Sequence, residues 1–444
     1  MNKPVITRFA PSPTGLLHAG NYRTALFSYI FTLQNKGKFV LRIEDTDKAR
    51  SKKEYEDNII ESLKWLGIKY DEFFRQSERT EIHKSYIKKL IDSGHAYVSD
   101  ETQNFDGNTL TKLTRNGPGR AEVIRFKNPN KKVSWNDLVR GKIEFDTTDL
   151  NDCIIARSMD EPVFHLVVVV DDFEMGVTHI IRGEDHISNT PRHILIQEAL
   201  GIPTPLYAHI PLLLAPDRSK LSKRKGALPM TDYRDKGYLP EALINYMSFL
   251  GWNPGTDQEI MSLDEIVKQF SLEKVQKAGA IFNEEKLKWV NKQYLDKMSM
   301  DEYIKAAGEF IPKNISPKVL PLIKEKVQIF SEIPELLKGE LSFIESVPEY
   351  KKESLMWKQE TDISNTKNYL EKIIEILSAQ NDFTKESVKA ALWPLAEEKG
   401  KGNVLWPMRY SLSGKDKSPD PFIMSEILGK EETLKRLTYA HRYI

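Results

Sequence analysis

Arg8-Phe9-Ala10-Pro11-Ser12-Pro13-Thr14-Gly15, running into His18-Ala19-Gly20-Asn21, has the composition of a turn that lets backbone approach a phosphate. Such a turn needs small residues and backbone N–H groups at a helix N-terminus. Gly15 and Gly20 permit the approach, and the His18 imidazole can donate a hydrogen bond to a phosphate beside it. Far along the chain, Lys220-Leu221-Ser222-Lys223-Arg224, followed by Lys225, is a Ser-punctuated cluster of cations. Alone, the first segment reads as an ordinary turn before a helix and the second as a solvated surface run. Together they describe a site that holds a nucleoside triphosphate at both ends. Cations there would stabilise the leaving pyrophosphate, whose oxygens gain charge in the transition state.

A second group of residues suits a zwitterionic substrate. Arg42-Ile43-Glu44-Asp45-Thr46-Asp47 ends a strand-like run, and its plain reading is a strand terminus followed by helix capping. At the C-terminal end of a parallel strand, however, these acids would border a ligand crevice, where one could hold an ammonium group. Arg8 and Arg182 also fall at or near strand ends, and either could grip a carboxylate, although surface arginines are commoner. Asp171-Asp172 reads as a turn rather than a metal site, and the nine histidines show no metal-ligand spacing.

The elements that must position these groups follow an α/β pattern. Pro4 to Phe9 alternates Val5, Thr7 and Phe9 and reads as a strand. Ala25, Leu26, Tyr29, Ile30 and Leu33 then fall at helical spacing, with Gly37 as a C-cap glycine. Lys38 to Ile43 reads as a second strand, and strand–helix–strand order favours a parallel pair. Tyr55, Ile59, Leu63 and Leu66 mark a helix ending at Gly67. Between 100 and 160, short runs such as Val123–Phe126 and Lys142–Phe145 among Gly, Asn and Pro turns suggest an insertion with its own small sheet. Phe164 to Val170 is a continuous apolar run, expected as a strand buried on both faces. Val177 to Ile181 is another strand, Thr190 to Leu200 a helix with Pro191 in its first turn, and Leu206 to Leu214 a strand leading into the basic loop. Beyond Leu239 the pattern is mainly helical.

Bulk properties bound the partners. The chain has 444 residues, long enough for several domains, and 40% hydrophobic content supplies a real core. Its 65 basic and 64 acidic residues nearly cancel, so no general basic field attracts nucleic acid and any such contact must be local. A single cysteine, Cys153, excludes an internal disulfide framework and a multi-cysteine zinc site. The absence of an apolar signal core after Met1 and of any long apolar run makes a soluble cytoplasmic protein the expectation.

The sequence resembles the glutamyl-tRNA synthetases of the bacterial type. RFAPSPTGLLHAG, LRIEDTDKARS, VVVVDDFEMGVTHIIRGEDHISNTPRH and KLSKRKGA carry the likeness in that order. YRDKGYLPEALINYMSFLGW, AIFNEEKLKWVN and LGKEETLKRL extend it almost to the end. Residues 98–118 and 300–400 match loosely. The resemblance implies a class I aminoacyl-tRNA synthetase with a Rossmann-type parallel-sheet nucleotide-binding core. It implies core halves at 1–85 and 166–214 around an inserted acceptor-stem-binding domain at 86–165. A clamp loop with a helical stem-contact domain follows at 215–300, and a helical anticodon-binding region at 301–444. It also implies ATP, taken as Mg-ATP, glutamate and tRNA as substrates. Glutamate would be activated to glutamyl-adenylate and passed to the terminal adenosine of tRNA(Glu), tRNA(Gln) or both, by a monomer.

Carried onto this chain, the likeness gives His18, Gly20, Lys220 and Lys223 catalytic roles. It places Pro13, Gly15, Asn21, Leu221, Ser222 and Arg224 with them around ATP. Arg8, Ala10, Ser12, Glu44, Phe164 and Arg182 match positions that bind the amino acid. Three departures stand out. No cysteines follow Tyr97-Val98-Ser99-Asp100, where many relatives begin a zinc knuckle, so no structural zinc is expected. Phe164 and Val168 stand where relatives commonly have Tyr and Asn. Leu341 falls where enzymes that reject tRNA(Gln) tend to place an arginine. A glutaminyl-tRNA synthetase would share the core, but the helical C-terminal third argues against its β-barrel. A truncated tRNA-modifying glutamyl transferase would lack so much chain beyond the clamp loop. A catalytically silent tRNA-binding protein would not need His18 and Lys223 intact.

Overall fold

Ile6–Phe9 (β1) is a four-residue strand that buries Thr7, Arg8 and Phe9. The structure, a computed structural model, describes residues 4–100, 122–221 and 228–444. After β1 the chain turns at His18 and enters Ala19–Gln34 (α1), a helix buried on most sides because it packs inside the molecule rather than on its surface. Lys38–Ile43 (β2) returns parallel to β1, with Ile6 opposite Lys38 and Phe9 opposite Leu41. Lys53–Trp65 (α2) and Glu72–Arg75 (β3) repeat the crossover, β3 again parallel to β2.

The connection from α1 to β2 differs from the expected glycine cap. Lys36 takes the left-handed conformation, at φ 51. Gly37 serves close approach instead, because a Cβ there would lie 2.1 Å from the Val5 carbonyl oxygen.

Thr80–Asp92 (α3) leads to the insertion. Ala96–Asp100 (β4), Glu122–Phe126 (β5), Cys153–Ser158 (β8) and Glu161–Pro162 (β9) form an antiparallel sheet, while Lys132–Asp137 (β6) and Gly141–Asp146 (β7) make a separate hairpin. The expected small sheet is therefore present, with a second hairpin beside it.

Phe164–Glu174 (α4) corrects the expectation of a strand: the apolar run is a helix. A helix buried on nearly every side is apolar all round, and over so short a run it has no period to separate it from a buried strand. The helical spacing changes what the run can do. Phe164, Val168 and Asp172 recur every four residues and share one face. Asp171, on another side, accepts hydrogen bonds from Arg79 and Gln76 and contacts His83. The Asp171-Asp172 pair is thus helical, not a turn.

His179–Gly183 (β10) and Leu206–Ile210 (β11) are parallel, joined through Thr190–Leu200 (α5), which begins and ends where the sequence predicted. β10 runs beside β1: Thr178 N–H donates to the Ile6 carbonyl at 2.9 Å. The expected strand to Leu214 breaks at Pro211, resuming as Leu213–Leu214 (β12), which pairs with Ala280–Ile281 (β13). Between them lie Met230–Asp235 (α6), Pro240–Phe249 (α7) and Leu263–Gln269 (α8), followed by Glu284–Lys297 (α9).

Two compact units result, residues 1–290 and 291–444. The second contains Met300–Ala307 (α10), Leu320–Lys326 (α11), Ile333–Lys338 (α12), Ile363–Ser378 (α13), Lys385–Lys399 (α14), Lys401–Ser413 (α15) and Pro421–Tyr443 (α16), the last broken at Gly429. Leu370, Ile373, Val388, Leu392, Met408 and Leu437 are among its fully buried side chains. No helix among the described residues is long and apolar enough to cross a membrane.

Candidate active site

A cavity of about 650 Å³ opens at the C-terminal ends of the parallel strands β1, β2, β10 and β11. This is where open α/β sheets bind ligands, because the loops leaving the strands diverge there. It is lined by Arg8, Ala10, Ser12, His18, Gly20, Asn21, Glu44, Phe164, Arg182, Lys220 and Leu221, so residues far apart in sequence meet around one space. Pro13 and Gly15 do not line it. Pro13 is buried and its carbonyl accepts from Lys52 N–H at 3.0 Å, so it shapes the turn from behind. Ser222, Lys223 and Arg224 lie outside the described residues.

One wall is an ion network. Arg42, fully buried, donates to Asp172 at 2.7 Å and to Glu44 at 3.0 Å, and Arg8 donates to Asp172 at 3.1 Å. Burial pushes the Asp172 carboxyl up, but Arg8 and Arg42 more than offset this and hold it below the usual carboxylate range. For Glu44 burial prevails, and its carboxyl titrates above the ordinary value despite Arg42. Of the three acids after β2, only Glu44 faces the cavity. Asp45 accepts from Ser77 N–H and hydroxyl at 2.8 and 2.6 Å, and Asp47 pairs with Arg50 at 2.6 Å.

Arg182 stands beside this network, on β10 next to β1, where Arg8 donates to the carbonyl of the preceding Ile181 at 3.5 Å. Arg182 is 6% exposed, and among the described residues its guanidinium meets neutral partners: His209, Thr190, His193, the His186 carbonyl and the Tyr207 ring. No carboxylate lies within ion-pair distance of it among the described residues. Burial draws its pKa down to about 10, still charged at neutral pH. The neighbouring histidines are neutral: burial pushes His165 and His186 down to about 4, and His193 well below its ordinary value. Arg23, also buried, donates to the carbonyls of Leu250 at 2.8 Å and of Pro211, fastening α1 to the loop after β11.

The far end is shaped for an anion. α1 begins at the cavity, presenting backbone N–H groups and the positive end of its dipole. The His18 imidazole lies against Gly20, where a Cβ would come within 3.3 Å of the ring. Lys220, bridged to Leu214, also lines the cavity and pairs with Asp185 at 2.9 Å on a solvent-exposed rim.

Residues 4–105 and 108–289 match the family described as tRNA synthetases class I (E and Q), catalytic domain, and residues 266–441 match an anticodon binding domain. The chain belongs to the class I tRNA synthetases of the E and Q group. A glutamate–tRNA ligase of Aquifex aeolicus is 41% identical over 470 residues, with 98% of each chain covered. One from Thermodesulfovibrio yellowstonii is 40% identical over 467 residues, again with 98% of each covered. The crystal structure of a glutamate tRNA ligase from Elizabethkingia meningosepticum in complex with its amino acid superposes with a TM-score of 0.88 at 35% identity, covering 99% of both chains. The resemblance seen in the motifs therefore extends through the whole chain, and the family's parallel-sheet core and helical C-terminal region are those described above.

Several lining or supporting residues escaped the sequence reading. Arg23, Asp185 and His186 border the cavity, and Asp137, His193 and His209 stand behind Arg182; Asp172, expected in a turn, instead braces Arg8 and Arg42. The one available signal was the pair of acids directly after the apolar run, of which a helical reading turns Asp172 toward the β1–β2 face. Leu341 is fully buried in the second unit, so its side chain offers nothing to a base at the surface.

Proposed function

We propose that the protein is a glutamate–tRNA ligase. The observation that carries this reading is Arg182: a buried, charged guanidinium with no carboxylate at ion-pair distance among the described residues, lining the cavity at which α1 begins. A carboxylate-bearing substrate supplies the missing counter-ion, and a triphosphate suits the helix end. Arg182 and Arg8 receive the substrate's carboxylates and Glu44 its ammonium. An arriving ammonium would favour ionised Glu44 and reverse the effect of burial on it. Phe164 and Val168 line the same space with apolar surface, so charge rather than hydrogen bonding to these positions selects the side chain.

In the reaction proposed, an oxygen of the glutamate α-carboxylate attacks the α-phosphorus of ATP, brought as its Mg²⁺ complex. The bond to the pyrophosphate oxygen breaks and pyrophosphate leaves. A ribose hydroxyl of the terminal adenosine of tRNA then attacks the mixed-anhydride carbonyl, its proton is lost, and AMP leaves. No protein nucleophile is needed; positioning and charge stabilisation suffice. His18, Gly20, Asn21, Lys220 and Leu221 border the nucleotide in this reading, with Ser222, Lys223 and Arg224 closing on the phosphates. We assign 86–165 to the acceptor stem, although its end at 165 cuts α4, and 215–300 to the stem contact. The anticodon falls to 301–444, and the enzyme acts as a cytoplasmic monomer. A reading in which tRNA(Gln) is charged as well is favoured by the aliphatic, buried Leu341.

Glutamate-dependent ATP–pyrophosphate exchange with tRNA present tests the activity. Lys223→Ala should lower the activation rate on the order of 10²–10³, the usual loss for one preorganised charge contact. Exchange that does not depend on glutamate would reject the function, and single-turnover activation unchanged in the variant would reject the role of Lys223.

A further inference from the structure

Arg182 and His209 are register partners on the adjacent strands β10 and β11. Arg182 donates its Nε–H to His209 Nε2 at 3.1 Å, so that nitrogen must carry a lone pair. The ring proton is then on Nδ1, which faces Asp137 Oδ2 at 2.5 Å. Asp137 and His209 are both shut away from solvent. Asp137 comes from elsewhere: it ends β6, in the inserted hairpin. The hairpin is docked on β11, where Leu138 N–H donates to the Tyr207 carbonyl at 2.8 Å. The other oxygen of the carboxylate, Oδ1, accepts three backbone N–H groups: Val139 at 3.1 Å, Arg140 at 3.0 Å and His209 at 3.1 Å. The carboxylate therefore has one orientation, and it dictates which nitrogen of His209 is protonated.

We propose that Asp137 is a positioning residue for substrate recognition: by holding His209 as its Nδ1–H tautomer, it gives Arg182 an acceptor that aims the guanidinium at the cavity. Thr190 Oγ1 at 2.7 Å and the His186 carbonyl at 3.4 Å take the Nη2 hydrogens, and His193 meets Nη1 at 3.3 Å. With Nε–H engaged by His209, Nη1 keeps an N–H for a ligand. A hairpin of the insertion thus sets the geometry of the amino-acid site in the parallel core. The inference rests on the reading of Arg182 as the carboxylate receptor.

Asp137→Asn separates tautomer control from packing. The three backbone donors keep the amide oxygen where Oδ1 was, so the amide nitrogen faces His209 Nδ1. A donor there forces the Nε2–H tautomer, whose N–H can turn to Thr190 Oγ1 at 3.1 Å but leaves Arg182 Nε–H without its acceptor. In full-length protein labelled with ¹⁵N-histidine, the His209 signals, assigned by their loss in His209→Gln, should switch from Nδ1–H to Nε2–H. The KM for glutamate in tRNA-supported exchange should rise about tenfold or more, the scale of one charge-assisted hydrogen bond misaligned, with the KM for ATP little changed. His209→Gln can place an amide oxygen near the Nε2 position and supply the acceptor without Asp137. Asp137→Asn should accordingly cost far less in that background.

A tautomer switch that leaves the glutamate KM unchanged would overturn the proposal. So would an equal loss with and without His209→Gln, which would assign Asp137 to packing alone. If Asp137→Asn does not fold, His209→Leu removes the acceptor, together with the Nδ1–H that Asp137 accepts, and carries the same expectation for the glutamate KM. Arg182→Gln tests the underlying reading separately: an unchanged glutamate KM there would reject Arg182 as the receptor, whatever Asp137 does.

Discussion

Asp172 holds two arginines with one carboxylate oxygen, Arg42 at 2.7 Å and Arg8 at 3.1 Å, and none of the three is more than 5% exposed. Removing one member of a buried charge cluster leaves the others desolvated without compensation, which typically costs about 3–5 kcal/mol. Asp172→Ala should therefore unfold at clearly lower urea concentration than the parent, and an unchanged midpoint would show that water or Glu44 takes over the arginines. The pH dependence has a definite sign. A carboxyl depressed in the fold contributes stability above its unfolded value of about 3.9. That contribution is lost as pH falls through the lower folded value. Glu44, raised by burial, works the other way, disfavouring the fold as pH climbs through its own range. Acid titration of the parent should thus show a stability loss below about pH 4 that Asp172→Ala lacks. At this scale the sequence made the motif residues legible, because turns, basic runs and strand ends are local features. It did not reveal Asp172, Asp137 or His209, whose partners are far away in the chain and meet them only through folding.

The helix α4 and the turn before β2 show how element type decides which residues can act. Read as a strand, Phe164 to Val170 would put Leu166 and Val170 on the same face as Phe164 and Val168, with His165, Val167 and Val169 on the other. As a helix it delivers Phe164, Val168 and Asp172 together to the cavity side. Periodicity fails there for want of a polar face, whereas α5 is legible from Thr190 to Leu200 because Pro191 marks its first turn. Gly37 is expected as a helix-cap glycine, whereas its role is close approach to Val5, with Asn35 at the cap. The strand pair β1–β2 leaves no room for a methyl group beside the Val5 carbonyl. Gly37→Ala must displace backbone, and overpacking of this kind costs about 1–3 kcal/mol. Because β1 leads directly into the Arg8–Gly20 segment, the strain should also appear as weaker nucleotide binding. A variant with parental stability and parental ATP KM would show that the Lys36–Gly37 turn yields without moving β1.

Whole-molecule properties constrain the choice of tRNA more weakly than they constrain the chemistry. Near-balanced charge means that binding must rely on local contacts, and phosphate contacts carry no sequence information in any case. Selection between tRNA(Glu) and tRNA(Gln) therefore depends on side chains that reach base edges. At Leu341 the side chain is aliphatic and fully buried, beside a backbone that Arg436 secures by donating to the carbonyls of Phe343 and Leu412, each at 2.9 Å. Loss of one good base contact weakens discrimination by about 1–3 kcal/mol. Charging both tRNAs under identical salt should accordingly show Glu-tRNA(Gln) formed at a rate within about two orders of magnitude of Glu-tRNA(Glu). A preference for tRNA(Glu) above roughly a thousandfold, beyond what one contact is worth, would place the discrimination elsewhere in the helical unit. Burial also predicts how Leu341→Arg behaves. It should destabilise the second unit by several kcal/mol, because an unpaired charge would enter its core. A Leu341→Arg protein that stays as stable as the parent and turns selective for tRNA(Glu) would mean that this helical region opens when tRNA binds, exposing position 341 to the anticodon.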